Sequence, residues 1–441
     1  MLSHRGLECP ESLRAVAKRQ LTVVPIDRSG SHHVFQKRIP VWWMENDVVH
    51  VPRFWGYEHG VRLEHTGIPQ SIHVSFSGTL MDELEQPRAT DAVLQSLRET
   101  GGALLSLGTG CGKTTCACYI ISQIKLKTVV LVHKDVLKTQ WADRIAQFLP
   151  GARVSFVQGD SVDMSGDIVI AMLQTLVSPG REYDWSEFGL VVVDECHHIA
   201  AETFNTAMRT LTCPYSLGLS ATPNRKDGLT KVITWFLGPI AFQSRRKDMS
   251  NVCVEFVRYS CERYKGPPPL MRSGTLNFTQ MITDLTDDTQ RTRLIVEYVA
   301  RIREDPARIV LVLSHRRDHC TELASKIDGA VAFLGTPKRK TKNTDHQTAP
   351  VVCATYSIAS EGYDDPRLNT LVLATPVSDV TQAMGRITRG VSSTPPVIID
   401  IMDDYGVFYA QAAKRKSEYK SAGFTTKSQF EKKYPKCIII D

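Results

Sequence analysis

The sequence predicts an α/β fold with two domains in tandem, each built on a parallel sheet that helices flank. Two series of short, nearly continuous apolar runs indicate buried strands, and amphipathic stretches separate them. This alternation is typical of βαβ units, whose helices cover both faces of a parallel sheet. The length of 441 residues is consistent with this organisation. Domains of roughly 100–200 residues would allow about two to four in such a chain.

The predicted strands fall into two groups along the chain. The first group comprises ALLSLG (103–108), TVVLVH (128–133), DIVIAM (167–172), LVVVDE (190–195) and YSLGLSA (215–221). The second group comprises RIVLVLS (308–314), AVAFLG (330–335), PVVCAT (350–355), TLVLAT (370–375) and PVIIDI (396–401). Each group predicts one sheet, because apolar residues at nearly every position indicate strands that are buried on both faces.

Changes in composition and hydrophobic pattern divide the chain into five segments. Residues 1–85 are irregular and rich in His, Pro and Trp, and they predict a small N-terminal accessory module. The two α/β domains are predicted over residues 86–240 and 291–405. A connector that contains the GPPPL loop is predicted over residues 241–290. Residues 406–441 predict a basic helical tail that ends in the short strand candidate CIIID.

The composition excludes several classes of protein. Apolar residues make up 42% of the chain and charged residues 23%, which excludes a mainly disordered or collagen-like chain. No apolar run approaches the roughly 18 residues that would span a membrane. The N-terminus has charges where a secretory signal would be apolar, so export is not expected. The net charge of +6 permits a polyanionic partner without requiring one.

The cysteines indicate free thiols. There are 11 of them, an odd number, and no two have the CxxC spacing of many zinc or redox sites. We therefore expect an intracellular location in a reducing compartment, the cytoplasm or nucleus of a host cell, or a virion if the protein is viral.

A phosphate-binding loop follows the first predicted strand and begins a helix. In such a loop, backbone N–H groups and the helix N-terminus together favour a bound phosphate. The predicted residues are Gly108, Thr109, Gly110, Cys111, Gly112, Lys113, Thr114 and Thr115. Lys113 would reach the β- and γ-phosphates of a nucleotide, and the Thr114 hydroxyl would bind Mg²⁺. The motif departs from the usual pattern at Leu107, where a glycine is expected.

An acidic pair, Asp194 and Glu195, follows the apolar strand LVVV. The carboxyl ends of parallel strands form the edge at which ligands bind. Asp194 is suited to hold Mg²⁺, and Glu195 is suited to orient and deprotonate an attacking water. The following His197 and His198 could be zinc ligands, but further ligands at a suitable spacing are missing. We favour a role in linking the nucleotide site to the neighbouring domain, and we assign it to His198.

Four motifs in one order resemble superfamily 2 helicases of the DExH type. They are GTGCGKT, DECHH, SATP (220–223) and QAMGRITR (382–389), and the resemblance covers roughly residues 86–405. The segment LSATPNRKDGL is similar to the XPB-like and UvsW-like branch. The segment IPVWWMENDVVHVPRFWGYEHG (39–60) resembles the leader of helicases from nucleocytoplasmic large DNA viruses, which are relatives of the poxvirus transcript-release helicase.

This resemblance implies two RecA-like domains that bind ATP and Mg²⁺ in the cleft between them, with DNA or an RNA–DNA hybrid running across both. It implies nucleic-acid contacts for His133, Lys134, Gln174, Thr175, Ser314 and His315. It implies coupling roles for Ser220 and Thr222, and positions at the cleft for Gly362 and Asp364. It implies catalytic roles for Gln382, Arg386 and Arg389. An arginine fits such a role because its fork of donors matches the charge that develops on a transferred phosphoryl group. Transcription or replication proteins are the partners expected of such an enzyme.

One feature separates the sequence from this family, and two others allow alternative interpretations. Where relatives have an adenine-reading glutamine before the phosphate loop, this chain has Thr90, with Gln86 nearby. The basic runs TPKRKTKN (336–343) and AKRKSEYK (413–420) could follow a phosphate backbone, or they could be solvated surface. The aromatic cluster of Trp42, Trp43, Phe54, Trp55 and Tyr57 could stack on bases, or it could form the core of a small module.

Two rival functions remain open from the sequence. A nucleic-acid clamp could keep the fold and lack the chemistry. The set of Lys113, Thr114, Asp194, Glu195, Gln382, Arg386 and Arg389 argues against it. The motor subunit of a restriction-type nuclease would share these motifs, but it would need a carboxylate cluster for metal ions. The candidates for that cluster are Glu418 and Lys420 with Asp403 or Asp404.

Overall fold

The computed structural model divides the chain into two compact units, Met1–Arg245 and Arg246–Asp441. The structure describes residues 6–25, 38–62, 69–108, 110–180, 182–199, 201–211, 213–221, 228–244, 251–335, 348–361, 365–378, 380–387, 394–421 and 423–426. Within these residues, no helix is long and apolar enough to cross a membrane.

The N-terminal part of the first unit is a small module of short elements. Its strands are β1 (Leu7–Glu8), β2 (Thr22–Val23), β3 (Ile39–Pro40), β4 (Trp43–Glu45) and β5 (Val48–Val51), and its helices are α1 (Arg14–Gln20) and α2 (Arg53–Glu58). β5 pairs antiparallel with β1 on one side and with β4 on the other, and β2 pairs antiparallel with β3. Asn46 and Asp47 both have positive φ in the turn between β4 and β5, as a tight hairpin requires.

An eight-stranded sheet forms the centre of the first unit. Its strands are β6 (Gly102–Ser106), β7 (Thr128–Val132), β8 (Val154–Gln158), β9 (Ser161–Val162), β10 (Ile168–Met172), β11 (Leu190–Val193), β12 (Tyr215–Ser220) and β13 (Ile240–Gln243). Their order is β13-β6-β12-β11-β7-β10-β8-β9, and all pairs are parallel except β8 with β9. The helices of this region are α3 (Gln86–Thr100), α4 (Lys113–Ile124), α5 (Asp135–Phe148), α6 (Leu173–Leu176), α7 (Ala201–Met208) and α8 (Thr230–Leu237).

The sheet is buried on both faces, which explains the continuous apolar runs in its strands. Successive residues of β7 belong to different clusters: Val129 packs into one and Val130 into the other. The cluster that contains Val129 also contains Leu7, Val41 and Trp55 of the N-terminal module. The module therefore shares one core with the first sheet.

Arg53 ties the module to the sheet by hydrogen bonds. Its guanidinium donates to the carbonyl oxygens of Cys213 (3.1 Å), Pro214 (2.8 Å) and Gly101 (3.3 Å) and to the Ser216 hydroxyl (2.6 Å). These acceptors lie before β6 and at the start of β12. A single side chain thus fixes the start of α2 against two neighbouring strands.

Replacing Arg53 with alanine should lower the free energy of unfolding by about 2–4 kcal/mol, because four buried or partly buried acceptors would lose a charged donor. The matched control is Arg62→Ala in the same module. Arg62 is exposed and donates to the Tyr57 carbonyl oxygen, and its loss should change stability by less than about 0.5 kcal/mol. Chemical denaturation of the full chain measures both. Equal effects of the two changes would contradict the anchoring role of Arg53.

The second unit is built on a seven-stranded, all-parallel sheet. Its strands are β14 (Cys253–Tyr259), β15 (Val310–Ser314), β16 (Ala330–Phe333), β17 (Val351–Thr355), β18 (Thr370–Leu373), β19 (Val397–Asp403) and β20 (Thr425–Thr426), in the order β16-β17-β15-β18-β19-β14-β20. Its helices are α9 (Phe278–Thr286), α10 (Thr289–Ile302), α11 (Arg317–Lys326), α12 (Tyr356–Glu361), α13 (Thr381–Ile387) and α14 (Val407–Ser421).

Two buried ion pairs hold helices to β19. Arg291 of α10 contacts Asp403 with two hydrogen bonds of 2.6 and 2.8 Å and also donates to the Ala374 carbonyl oxygen. Arg415 of α14 contacts Asp400 in the same two-pronged way, at 2.8 and 2.6 Å. All four side chains are almost fully buried. The planar guanidinium matches a carboxylate in this geometry, which makes a buried charge tolerable.

The predicted fold class is confirmed, and all ten predicted strands are present within a few residues of their predicted ends. Two assignments differ from the structure. Cys253–Tyr259, in the predicted connector, is a strand that pairs with the whole of β19. In the basic run of residues 413–420, Arg415 and Tyr419 are core residues on the inner face of α14. The run 336–343 and the strand candidate CIIID lie outside the described residues.

Candidate nucleotide and nucleic-acid sites

The phosphate-binding loop connects β6 to α4, as predicted. Gly110 and Gly112 have φ values of 82° and 78°, in the left-handed region that glycine adopts without strain. The left-handed φ at Gly112 therefore favours glycine, and a Cβ atom there would also displace the side-chain amide of Gln86. Thr109 lies outside the described residues, and Thr115 lies in the first turn of α4.

Gln86 supports this loop, and sequence analysis did not assign it that role. It is buried at the start of α3. Its Nε2 donates to the Cys111 carbonyl oxygen at 3.0 Å, and its Oε1 accepts from the Met81 N–H at 2.9 Å. Thr90 is buried one turn later, where its hydroxyl bonds to carbonyl oxygens of its own helix. The glutamine beside the phosphate loop is therefore Gln86, and Thr90 does not take its place.

The carboxyl ends of β6, β12 and β11 bring the predicted ATP-site residues together. These strands are adjacent in the sheet. Lys113 begins α4 after β6, and its Nζ lies 3.5 Å from Oε1 of Glu195, which follows β11. Both side chains are mostly buried. A lysine and a carboxylate thus face each other across the phosphate loop, where a nucleotide phosphate would compete for the lysine.

Asp194 is held rigidly at the end of β11. Its Oδ2 accepts from Nε1 of the buried Trp141 at 2.9 Å, and its Oδ1 accepts from the Glu195 N–H at 2.9 Å. Burial and the nearby Glu195 carboxylate raise the pKa of Asp194 to about 6. A cation beside it would relieve this unfavourable burial of negative charge.

His197 connects the acidic pair to the next strand, a contact that sequence analysis did not assign, and the predicted role of His198 in linking to the neighbouring domain stays a prediction. Nδ1 of His197 lies 3.4 Å from Oε2 of Glu195 and 3.0 Å from Oγ of Ser220, at the end of β12. Glu195 has φ of +46°, an uncommon conformation for a residue other than glycine. The His198 side chain and Thr222 lie outside the described residues.

The residues present fit Mg²⁺. The Thr114 hydroxyl and the Asp194 carboxylate would supply oxygen ligands, which a hard divalent cation prefers. Thr114 directly follows Lys113, and Asp194 directly precedes Glu195, so both lie at the same edge of the sheet. Within the described residues, no group of three or more His, Cys, Asp or Glu side chains forms a metal cluster.

The predicted nucleic-acid residues of the first unit lie at the ends of β7 and β10. Gln174 is exposed, and its Nε2 donates to the His133 carbonyl oxygen at 2.7 Å. Lys134 caps α5 and is half-buried. Thr175 is buried and its hydroxyl accepts from the Gly159 N–H at 2.9 Å. These contacts join the two predicted motifs, and the phosphate contacts themselves stay predictions.

The predicted contacts of the second unit follow β15. His315 is exposed, and its Nδ1 lies 2.8 Å from the Thr375 hydroxyl. Ser314, by contrast, is fully buried and its hydroxyl lies 3.0 Å from Nδ1 of the buried His319. A buried hydroxyl in this position orients the turn after β15. A direct contact of the Ser314 side chain with a phosphate is therefore not supported by its burial.

The remaining predicted catalytic residues are described only in part. Arg386 lies in the last turn of α13 and is buried. Gln382 lies in the first turn of the same helix, and its side chain is outside the described part of the chain. Gly362, Asp364 and Arg389 are outside it as well.

The aromatic cluster of the N-terminal module forms a core. Trp55 is buried and stacks on His59 with ring centroids 3.9 Å apart. Phe54 is buried too. Arg209 lies over the Trp43 ring at 4.8 Å. These rings pack within the first unit, and base stacking by the cluster is not supported.

Comparisons with known proteins agree with this geometry. Residues 81–225 match the family described as "Type III restriction enzyme, res subunit". The chain is 29% identical to the "Putative ATP-dependent RNA helicase L396" of Acanthamoeba polyphaga mimivirus, over 97% of this chain and 85% of that protein. It is 25% identical to the "Putative helicase 161L" of Invertebrate iridescent virus 6, over 81% of this chain and 84% of that protein.

Solved structures show the same fold at low sequence identity. The Pyrococcus furiosus Hef helicase domain matches 77% of this chain and 100% of its own, with a TM-score of 0.52 and 16% identity. S. cerevisiae Dbp5 bound to RNA and ADP BeF3 matches 80% of this chain and 93% of its own, with a TM-score of 0.54 and 13% identity. The sequence matches and the ordered motifs indicate that the chain is an ATP-dependent helicase, and its fold is the tandem RecA-like fold of the solved helicase structures.

Proposed function

We propose that the protein couples Mg²⁺-dependent ATP hydrolysis to movement along nucleic acid and to separation of DNA or RNA–DNA duplexes. The observation that supports this most is the meeting of Lys113, Asp194, Glu195 and Ser220 at one edge of the first sheet, with His197 between the last two. These groups follow three adjacent strands of the sheet and combine a lysine suited to bind phosphate with a carboxylate suited to activate water.

Each group has a chemical task in this proposal. Lys113 leaves Glu195 and binds the β- and γ-phosphates when ATP enters the loop. Mg²⁺, held by Thr114 and Asp194, would neutralise charge on those phosphates. Glu195 then orients the attacking water and accepts its proton. Arg386, Arg389 and Gln382 would stabilise the transition state, with Gly362 and Asp364 nearby, as the resemblance implies.

His197 is a positioning residue in this proposal. Because it lies within reach of both the Glu195 carboxylate and the Ser220 hydroxyl, a change at the water-activating group reaches the end of β12 directly. Ser220 begins the SATP segment, which includes the predicted coupling residue Thr222. Loss of the γ-phosphate would thereby alter the segment that follows β12, which is a route from hydrolysis to movement.

The biological setting is proposed from the relatives. The names of the mimivirus and African swine fever virus proteins both include "ATP-dependent RNA helicase". We therefore propose a role in viral transcription, replication or repair, with transcription or replication proteins as partners. A reducing intracellular compartment is proposed because the described cysteines are free thiols.

The rival nuclease function keeps only Asp404, which is exposed, of its two candidate upstream carboxylates, and no metal-binding group of three or more His, Cys, Asp or Glu side chains is found among the described residues. Asp403 is fully engaged with Arg291 in the core of the second unit. A carboxylate in that position is not available to Mg²⁺ without breaking the ion pair. A non-catalytic clamp would not use the ATP-site residues that lie together at this sheet edge. ATP turnover with and without nucleic acid separates it from the motor proposal.

Nucleic-acid binding should depend steeply on salt and little on base sequence, because backbone contacts carry no base information. Each neutralised phosphate should add roughly 0.7–0.9 to the log–log salt slope. Lys134→Ala should reduce that slope by about one such step. The control is Lys138→Ala on the same helix, since Lys138 pairs with Asp135 at 3.5 Å. Fluorescence anisotropy over a salt series measures both variants, and an unchanged slope in Lys134→Ala would remove it from the contact surface.

The wild-type protein should hydrolyse ATP faster when nucleic acid is present. Matched DNA–DNA, RNA–DNA and RNA–RNA duplexes with a 3′ or a 5′ tail would give the preferred duplex and the direction of movement. An ATPase rate that no nucleic acid changes, together with no unwinding of any duplex, would refute the motor proposal.

A further inference from the structure

A small hairpin projects from the second unit between β14 and α9. The Met271 N–H donates to the Thr275 carbonyl oxygen at 2.7 Å, and the Asn277 N–H donates to the Pro269 carbonyl oxygen at 2.8 Å. Leu270 and Leu276 form an antiparallel bridge. Since backbone bonds close the turn, the tip is preorganised.

The base of the hairpin stands on a packed cluster of the same unit. Tyr264, Met281, Leu285, Tyr405 and Phe408 are buried together there. The Tyr405 hydroxyl donates to the Asp284 carboxylate of α9 at 2.7 Å, and the Tyr264 and Tyr405 rings stack 4.7 Å apart. The chain is thus fixed on both sides of the hairpin, by Tyr264 before it and by Met281 and Leu285 after it.

Three large apolar side chains are exposed at the hairpin and at the start of α9, beside the exposed polar residues of the turn. We call Leu270, Met271, Arg272 and Phe278 the hairpin surface. Leu270 is 59% exposed, Met271 47% and Phe278 45%. Large apolar side chains gathered at one exposed place mark a binding surface more often than isolated ones do. Exposed apolar side chains on and beside a rigid turn suit a ligand with an apolar face.

Charge and position favour nucleic acid as that ligand. Residues 266–283 contain one basic residue, Arg272 at the tip, and no acidic residue. Arg316 connects this region to the end of β15, because its Nη2 donates to the Thr279 carbonyl oxygen at 2.8 Å and to the Thr283 hydroxyl at 3.1 Å. Arg316 directly follows His315, a predicted strand contact. The hairpin surface thus continues the predicted nucleic-acid surface of the second unit.

We propose that the hairpin surface contacts bases at the junction of duplex and single strand. Leu270 and Met271 would pack on the terminal base pair, as apolar wedges do when they unstack base steps. Phe278 would stack on a freed base, and Arg272 would meet a phosphate. The proposal rests on the proposed function of strand separation, and it adds the element that meets the paired bases.

The test is the double variant Leu270→Ser/Met271→Ser on a forked duplex with 2-aminopurine at the junction. Unwinding should fall at least about tenfold, and the change in 2-aminopurine fluorescence on binding should be lost, because the two apolar side chains that would pack on the terminal base pair are gone. The matched control is Val162→Ser. Val162 is 48% exposed and lies on β9, so its replacement removes exposed apolar atoms of the same kind at a different place. It should leave both signals unchanged.

Two further variants keep the test decisive if the double variant melts early. Phe278→Leu keeps the apolar volume and removes the aromatic face, and Arg272→Ala removes the charge alone. Both should weaken the junction signal, with circular dichroism and melting temperature as the folding check. If all hairpin variants unwound the forked duplex at the wild-type rate, the proposal would be wrong, and the hairpin surface would instead suit a protein ligand. Absence of unwinding in the wild type itself would instead refute the proposed function.

Discussion

Glu195→Gln should nearly abolish ATP hydrolysis while nucleotide binding stays close to normal. The amide keeps the shape of the side chain but cannot accept the proton of the attacking water, and general-base catalysis contributes about 10²–10⁴-fold in rate. Lys113→Ala should lose both turnover and affinity, because it removes the charge that meets the β- and γ-phosphates in the bound state. Single-turnover hydrolysis and binding of a fluorescent nucleotide measure the two effects separately.

The matched control is Glu187→Gln. Glu187 also pairs with a lysine, Lys127, at 2.6 Å, but it precedes β11 whereas Glu195 follows it. The two glutamates are thus at opposite ends of one strand, and the control should keep normal hydrolysis. If Glu195→Gln and Lys113→Ala weakened nucleotide binding equally, the separate roles of base and phosphate ligand would be wrong.

The sequence was sufficient for the fold because the strands are buried on both faces. A strand such as Ile168–Met172 has every residue buried, and such a run is visible without a structure. Val154–Gln158 alternates between buried and half-buried positions near the sheet edge, so its signal was weaker and it was missed. Cys253–Tyr259 was missed for the same reason, since Glu255 and Arg258 interrupt the apolar run.

The site was predictable where motifs are local and less so where partners are distant in sequence. Lys113 and Glu195 could be paired by role because each lies in a motif. Gln86, 26 positions before Gly112, could not be assigned to the loop from spacing. Its contact with Cys111 depends on how α3 packs beside the loop. Which of two adjacent histidines faces Ser220 depends on the short 3-10 turn Cys196–His198, and sequence periodicity does not resolve such a turn.

Arg415 shows a different limit of sequence reasoning. It lies in a run of lysines and was interpreted as part of a solvated or nucleic-acid-binding face. Burial of a guanidinium requires a carboxylate in the right place, and here Asp400 supplies it from β19. Neither residue alone indicates the pair. Only the register between α14 and the sheet reveals that the charge is structural.

Breaking the other buried pair should have the largest effect on stability. Asp403→Ala leaves the Arg291 guanidinium in the core with the Ala374 carbonyl oxygen as a remaining acceptor. Removal of one partner from a buried ion pair costs about 3–5 kcal/mol, because the other charge stays desolvated. We expect a lower denaturation midpoint for the second unit, monitored by chemical denaturation and by hydrogen exchange of the amides of β19.

Two control variants distinguish the effect of an unpaired buried charge on stability from a general effect of substitution. Glu322→Ala removes a partner of Lys326 at 2.5 Å on α11 in the same unit, where both side chains are exposed. It should cost less than about 1 kcal/mol. The double variant Arg291→Met/Asp403→Leu removes both charges and keeps apolar volume, and it should recover much of the lost stability, since apolar replacements of buried pairs are often neutral or better. If the double variant were as unstable as Asp403→Ala, the loss would come from packing around β19, and the unpaired guanidinium would not be its cause.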